Sequence, residues 1–268
     1  MYAAYRFTTS TIIGDTFKNE LYGIRTAHIE NGFKLNVSKK GPMQKLTKIR
    51  RAWTKERISG QRTRKPITSA ILARFLTILR SDDYDHQTLR GLLCFAKFGL
   101  LRVSEYSYGS NGNAPLVGQL SIVPSMEEPS FLVYRFQKSK TNQFGKHERI
   151  VCACTCPGPC AVHEVVRMLS MRAQVRATDK LFCFKDGTSP TDDHIRNLIK
   201  RLCALCGMDH TKFASHQLRS GGVTDLLCNG VPDSIIQLLA RWANLDSMVP
   251  YKIVSDHDLA KLVAQVNI

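Results

Sequence analysis

Near the C-terminal end of the chain, "SHQLRSGGVTDLLCNG" sets His216 and Arg219 three residues apart, and Tyr251 follows 32 residues after the arginine. On a helix that spacing projects the imidazole and the guanidinium from one side. The helix is expected to start at Ser215, so the pair sits within two turns of an N-terminus, where backbone N–H groups and the macrodipole favour an anion. Such a pair suits a phosphate. Taken alone it fits equally well a satisfied buried histidine beside a surface arginine. Gly221 and Gly222 each cost about 1 kcal/mol relative to alanine inside a helix. A close approach by another element, or by a ligand, is expected to compensate.

Other residues extend the pair. In "FGLLRVSEY", Arg102 follows an apolar run and a glycine, with Glu105 three residues on to hold it. Two guanidiniums and an imidazole around one phosphoryl group would offset the charge that builds on its oxygens during attack. In "FQKSKTNQFGK" a hairpin carries Lys140 at its tip, where an ammonium can reach a leaving oxygen and donate a proton; Lys138 and Lys146 are competitors for that part. Tyr251 supplies a phenol that can act as a nucleophile once its proton is removed. No Asp/Glu cluster suited to Mg²⁺ accompanies this set, so the chemistry is expected to need neither metal nor cofactor. Tyr106, Tyr108 and Tyr134 read as packing or hydrogen-bonding residues.

The chain has 268 residues, 43% of them hydrophobic, and a formal net charge of +16. That length is enough for one large domain with a smaller appendage, and that charge favours an anionic partner. No apolar run approaches the roughly 20 residues of a membrane span, and "MYAAYRFTTSTIIGD" lacks the pattern of a signal peptide. A soluble intracellular protein without membrane association is expected, its nine cysteines reduced.

The basic excess is local. Between Asn36 and Lys65 stand eleven Lys or Arg against one Glu. Within this strap Lys45, Lys48, Arg50, Arg51, Lys55, Arg57, Arg62, Arg64 and Lys65 are candidate contacts to an anionic partner, nucleic acid or an acidic membrane surface, between which charge alone does not choose, and the interleaved Leu46, Ile49 and Trp53 argue for some order. A solvated face or a linker is the plain alternative. Before the strap, "DTFKNELYGIRTAHIENG" predicts a helix capped by Thr16 and stopped by Gly32, with Phe17, Leu21 and Ile24 on one face.

After Pro66 the pattern becomes regular. "ITSAILARFLTILRS" places Ile71, Leu72, Phe75, Leu76 and Leu79 on one helical face behind a Thr68 or Ser69 cap, and a second buried helix ends near Gly99. "GQLSIV", "SFLVYRFQ" and "ERIVCA" then predict a small antiparallel sheet. Helical signals return in "CAVHEVVRMLSMRA", in "TDDHIRNLIKRLCALCG" with Thr191 as cap, in the stretch from Ser215 to Gly230, and in "PDSIIQLLARW". The expected class is mainly α with a small antiparallel sheet (α+β), divided into residues 1–65 and 66–268.

"GLLRVSE", "KSKT", "SHQLRSG" and the terminal tyrosine together resemble the Arg, Lys, His-x-x-Arg, His/Trp, Tyr set of the tyrosine recombinases, the phage-integrase-type site-specific recombinases. The intervals match as well: 23 residues from Arg219 to Trp242 and nine from there to Tyr251. The resemblance spans roughly residues 66–268 and implies a DNA breaking-rejoining catalytic fold. "FKNELYGIRTAHIENGF" is similar to the last helix of the core-binding domain in eukaryotic mobile-element recombinases of the DIRS and crypton types, which makes residues 1–65 a partial core-binding region and basic linker. "ARW" followed by tyrosine is similar to theirs too, and a nuclear location would follow for a eukaryotic host.

The resemblance implies that Tyr251 attacks a phosphodiester of double-stranded DNA to give a 3′-phosphotyrosyl link. Arg102 and Arg219 would bind nonbridging oxygens, His216 would assist the tyrosine proton, Lys140 would protonate the leaving 5′ oxygen and Trp242 would hydrogen-bond the phosphate. It implies a homotetramer on DNA in which "HDLAKLVAQVNI" packs against a partner. Pro250, directly before Tyr251, is expected to open a helix there or displace the nucleophile's segment. With that proline and the short N-terminal region, a DNA-binding protein without turnover is the alternative.

"CACTCPGPCAVH" stands apart. Cys152, Cys154, Cys156, Cys160 and His163 could present four zinc ligands, but the C-x₂-C pairing typical of structural sites is missing. The segment is therefore read as a cysteine-rich loop leaving the sheet, without a metal. Cys94, Cys183, Cys203, Cys206 and Cys228 read as small core residues.

Overall fold

The computed structural model describes residues 14–32, 48, 64–109, 115–136 and 148–251, with the side chains of 14–18, 25, 136, 148 and 249–251 left out. Two units divide the chain, Met1–Thr63 and Arg64–Ile268. No helix among the described residues is long and apolar enough to cross a membrane.

In the first unit α1 spans Gly14–Glu30. It starts two residues before Thr16, which therefore lies inside the helix instead of capping it. Gly32 adopts a φ of +79° just past the end, a left-handed position that suits glycine. Leu21 is half-buried and Ile24 is exposed. Leu46, Ile49, Trp53 and most of the strap, namely Lys45, Arg50, Arg51, Lys55, Arg57 and Arg62, lie outside the described residues; Lys48 is exposed.

The second unit runs α2 (Ser69–Ile78), α3 (Tyr84–Phe98), α4 (Val103–Tyr106), β1 (Leu120–Pro124), β2 (Pro129–Phe136), β3 (Glu148–Ala153), α5 (Ala161–Ser170), α6 (Asp192–Leu205), α7 (His216–Cys228), α8 (Asp233–Ala240) and a 3₁₀ segment, Leu245–Tyr251. It is mainly helical with one small antiparallel sheet. Asp83 caps α3 by accepting from the His86 N–H at 2.8 Å, and Thr191 caps α6 from its hydroxyl oxygen. Ser215 behaves differently. It holds the N-cap position of α7 with helical dihedrals and turns its hydroxyl to Asp192 Oδ1 at 3.1 Å, so it makes no cap bond. Neither does Thr68 at the start of α2, whose neighbour Ser69 bonds to Asp225 instead.

The sheet has the order β1-β2-β3, antiparallel throughout, with Leu132 opposite Cys152 and Tyr134 opposite Ile150. These four point inward and are buried, while Val151 between them is exposed, which is the two-residue alternation of a sheet with one covered face. α5 packs on β2 and β3, α3 packs on α5, and α2 lies against α3 and α6. Gly91 lets the two central helices approach, since a Cβ there would stand 3.3 Å from Met168 Sδ and 3.4 Å from the Glu164 carbonyl. Phe95 meets Tyr134 edge-on at 5.3 Å, tying helix layer to sheet.

A second, smaller core gathers Leu100, Val223, Ile236, Ala240 and Met248, with Trp242 packed on it. Burying Met248 completely contributes about 1.5–3 kcal/mol. That anchor draws the 3₁₀ segment carrying Tyr251 onto α7 and α8. Pro250 lies within this segment, directly before Tyr251, and a helix opening there would run into residues outside the described ones.

Candidate active site

Arg219 is 1% exposed, on the second turn of α7. Its Nη1 donates to the Leu100 carbonyl at 2.5 Å and its Nη2 to the Ala240 carbonyl at 2.6 Å, while its guanidinium carbon stands 5.6 Å from the centre of the Trp242 ring. A planar fork held at both tips and stacked on an indole has few rotamers left. The carbonyls that hold it come from backbone turned the unusual way: Leu100 has a φ of +47° and Arg241, directly after Ala240, +56°. Left-handed conformations cost non-glycine residues about 1–2 kcal/mol each, and such positions concentrate at functional sites.

Gly221 and Gly222 explain how α7 reaches this place. A Cβ on Gly221 would lie 1.8 Å from the Ile67 carbonyl oxygen, and one on Gly222 2.4 Å from Leu100 Cδ2 and 2.5 Å from the Lys97 carbonyl oxygen. The compensating approach is thus by backbone, the segment before α2 on one side and the end of α3 on the other. Ile67 N–H donates to the Gln217 carbonyl at 2.9 Å across the first contact.

Arg102 stands at the N-terminus of α4. Its backbone N–H donates to Glu105 Oε2 and its Nη1 to Glu105 Oε1, both at 2.9 Å. Arg241 Nη2 donates to Glu105 Oε2 at 2.7 Å, and this arginine also reaches the Gly99 and Leu100 carbonyls at 3.3 and 3.2 Å. One carboxylate and one carbonyl therefore link Arg102, Arg241 and Arg219. His216 is exposed beside them. Burial of part of its ring, then the cations of Arg219 and Arg102, hold its pKa below the usual 6.5, so it is neutral at physiological pH and able to accept a proton.

The structure thus brings Arg102, His216, Arg219 and Trp242 together, with Glu105 beneath them. Lys140, with its competitors Lys138 and Lys146, lies outside the described residues. Tyr251 is placed in its backbone alone, as the last residue of the 3₁₀ segment. Of the strap, Arg64 and Lys65 are exposed at the start of the second unit, where Arg64 Nη1 donates to the Phe213 carbonyl at 3.3 Å and Lys65 N–H to the Lys212 carbonyl at 2.9 Å. A cleft of about 1050 Å³ near Asp82–Asp85 and Lys180–Lys185 shares no residue with the cationic cluster.

Two residues were missed in the sequence. Arg241 sits in "ARW" beside the expected Trp242, and Lys97 sits in the apolar run "CFAKFG". A lysine in such a run must find an anion, and Lys97, 1% exposed, pairs with Asp225 of α7. The tyrosines behave as packing residues. Burial pushes the phenols of Tyr106, Tyr108 and Tyr134 well above their ordinary range, and Tyr108 donates to the Pro115 carbonyl at 2.6 Å. Cys94 and Cys203 are buried and Cys183 and Cys206 half-buried, but Cys228 is exposed, being the last residue of α7 at the solvent end of the helix.

No protein-family model matches the chain, and no curated protein matches it in sequence. Solved structures do match. The XerH site-specific recombinase bound to palindromic difH substrate in its post-cleavage complex shares a TM-score of 0.55 and 16% identity, over 77% of this chain and 54% of that one. The XerA recombinase gives 0.58 and 16%, over 96% and 85%. The Tn1549 transposon integrase in complex with circular intermediate DNA gives 0.56 and 14%, over 98% and 82%. The chain spans about half the length of XerH in the post-cleavage complex. The fold is that of the tyrosine recombinase catalytic domain.

Proposed function

We propose that the protein is a site-specific DNA recombinase that cleaves and rejoins double-stranded DNA through a 3′-phosphotyrosyl intermediate, using neither metal nor ATP in the reaction. The observation that supports this most is the convergence of Arg102, His216 and Arg219 from two distant stretches of sequence onto one cationic cluster. Neutral His216 takes the phenolic proton as the Tyr251 oxygen attacks phosphorus, and Arg102 and Arg219 offset the charge gathering on the nonbridging oxygens. The bond from phosphorus to the 5′ oxygen breaks, and Lys140 gives that oxygen a proton. The indole N–H of Trp242 completes the phosphate's hydrogen bonds. Attack by a 5′-hydroxyl from another strand reverses the step and rejoins the DNA, so bond energy is kept in the phosphotyrosine.

On this reading the basic strap from Lys45 to Lys65 follows the phosphate backbone, residues 1–65 form a partial core-binding region, and four protomers assemble on DNA with "HDLAKLVAQVNI" packing in trans. The "ARW" stretch followed by tyrosine supports an affinity with eukaryotic mobile-element recombinases of the DIRS and crypton types, and hence a nuclear location. DNA complexes among the structures of like fold support the choice of partner.

A second reading rests on a different observation. Arg219 is 1% exposed and bonded to two backbone carbonyls, as expected of a protein that keeps the fold and binds DNA without turnover. A nicked suicide duplex separates the two. The recombinase reading expects a denaturation-resistant protein–DNA adduct that disappears in Tyr251→Phe while DNA affinity persists. Absence of any adduct from duplexes carrying the chain's own flanking DNA, with binding intact, leaves only the second.

A further inference from the structure

Three cysteines and a histidine converge where the sheet hands over to α5. Cys154, Cys156, Cys160 and His163 place their ligand atoms all within 4.8 Å of one another. His163 Nδ1 lies 3.2 Å from Cys156 Sγ, 3.3 Å from Cys160 Sγ and 3.7 Å from Cys154 Sγ, and the sulfurs of Cys160 and Cys154 are 3.9 Å apart. Hydrogen bonding does not account for this, because an imidazole nitrogen has a single in-plane lone pair or a single N–H and can serve only one such partner well. A tetrahedron does. Zinc bonds of about 2.3 Å to sulfur and about 2.0 Å to nitrogen set ligand atoms about 3.5–3.8 Å apart; the four separations above, 3.2–3.9 Å, bracket that range, and no pair exceeds 4.8 Å.

The surrounding backbone is arranged to match. Thr155 N–H donates toward Cys160 Sγ at 3.4 Å, the kind of support that stabilises a ligating thiolate. The turn between the first two ligands and the third is closed by Thr155 Oγ1 donating to the Pro159 carbonyl at 2.6 Å and by Gly158 N–H donating to the Thr155 carbonyl at 3.2 Å. Its base is fixed to the sheet, where Cys154 N–H donates to the Ser130 carbonyl at 2.9 Å. Cys154 and Cys156 are exposed while Cys160 is buried at the N-terminus of α5, so an ion has a way in and a floor to rest on. Cys152 takes no part. It points into the core from β3, opposite Leu132.

We propose that Cys154, Cys156, Cys160 and His163 form a structural zinc site. The sequence reading expected no metal here because the C-x₂-C pairing is missing; the C-x-C, C-x₃-C and C-x₂-H spacings reach the same end because the chain folds back on itself between Thr155 and Pro159. Four protein ligands fill a tetrahedron and leave no open position for substrate. The site therefore joins β3 to α5, the helix that packs against α3, whose end leads to Arg102, and its role is separate from DNA cleavage.

The test is metal analysis of the full chain purified under reducing conditions. About one equivalent of zinc per chain is expected, falling to background in Cys154→Ser/Cys156→Ser and unchanged in Cys228→Ser, a cysteine outside the site. Cobalt(II) titrated into wild-type protein stripped of metal should give the visible bands and thiolate charge transfer of a tetrahedral complex, a readout that needs no variant to fold. Wild-type protein that carries no zinc and gives no such spectrum overturns the proposal, and so does zinc retained by the double variant.

Discussion

Arg241 Nη2 donates to Glu105 Oε2 at 2.7 Å across 136 positions of sequence, with 9% and 3% of the two side chains exposed. The pair closes the short loop between α8 and the 3₁₀ segment onto the start of α4. Because the same carboxylate holds Arg102, a change at Glu105 leaves two guanidiniums without their shared anion. Removing one partner of a buried pair costs about 3–5 kcal/mol. Glu105→Ala is therefore expected to destabilise the chain by that order, read from denaturant unfolding without DNA. Arg102→Ala, which removes a partner that is 19% exposed, should cost less than half as much.

Gly221 carries a second prediction. Overpacking against backbone has no flexible side chain to absorb it, and the alanine Cβ would lie 1.8 Å from the Ile67 carbonyl oxygen. Gly221→Ala should cost about 3 kcal/mol or more. Gly230 is the control, since nothing lies within 4 Å and only its φ of +70° is at stake. Gly230→Ala should cost about 1–2 kcal/mol. Equal midpoints for the two variants in thermal unfolding would contradict the close crossing of α7.

These two cases mark what the sequence made legible. The His216–Arg219 spacing, the apolar faces of α2 and α3 and the three short strands follow from period and residue type, and they specify the fold class and most of the cluster. Gly221 and Gly222 announced a close approach, but whether backbone or ligand fills the space depends on where Ile67 and Lys97 lie, which no local pattern encodes. Arg241 was hidden because an arginine after an apolar helix normally reads as a surface C-terminal charge; its left-handed φ turns it inward. Ser215 misled for a related reason: Asp192, from another helix, competes for its hydroxyl. Cys154, Cys156, Cys160 and His163 stood out in the sequence, but their spacing argued against a metal, because their convergence depends on a turn between Thr155 and Pro159, not on sequence interval.

Lys97 and Asp225 support a third prediction. The ammonium is 1% exposed and bonded to both Asp225 and the Ser69 hydroxyl, the latter at 3.0 Å, while Ser69 donates to the same carboxylate from its N–H and its hydroxyl at 2.8 and 2.7 Å. Asp225→Asn strands a buried cation and should cost about 3–5 kcal/mol. Lys97→Met/Asp225→Asn should recover at least half of that loss, because an apolar side chain of similar volume removes the charge that needed a partner. A double variant no more stable than Asp225→Asn alone would show that the pair's worth lies in something other than charge compensation.

His216 supplies a prediction in pH. Partial burial and the cations of Arg219 and Arg102 hold its folded pKa below 6.5, so the folded protein resists a proton that the unfolded chain takes up readily. The sign follows: this contribution to stability is complete above pH 6.5 and is lost as pH falls from there through the folded pKa. Since the imidazole is exposed on one side, salt screens the arginines and the effect is small in energy, so the titration itself is the better readout. The His216 ring resonance, followed by NMR from neutral to acid pH, should titrate below 6.5 at low salt. Its midpoint should rise in Arg102→Gln, which removes one of the two cations, and in high salt. If His216 also accepts the Tyr251 proton, the acid limb of the cleavage rate in a trapping assay should move upward with it in Arg102→Gln. A ring that titrates at its ordinary value in wild-type protein, indifferent to Arg102, would mean that the two cations do not act on the imidazole.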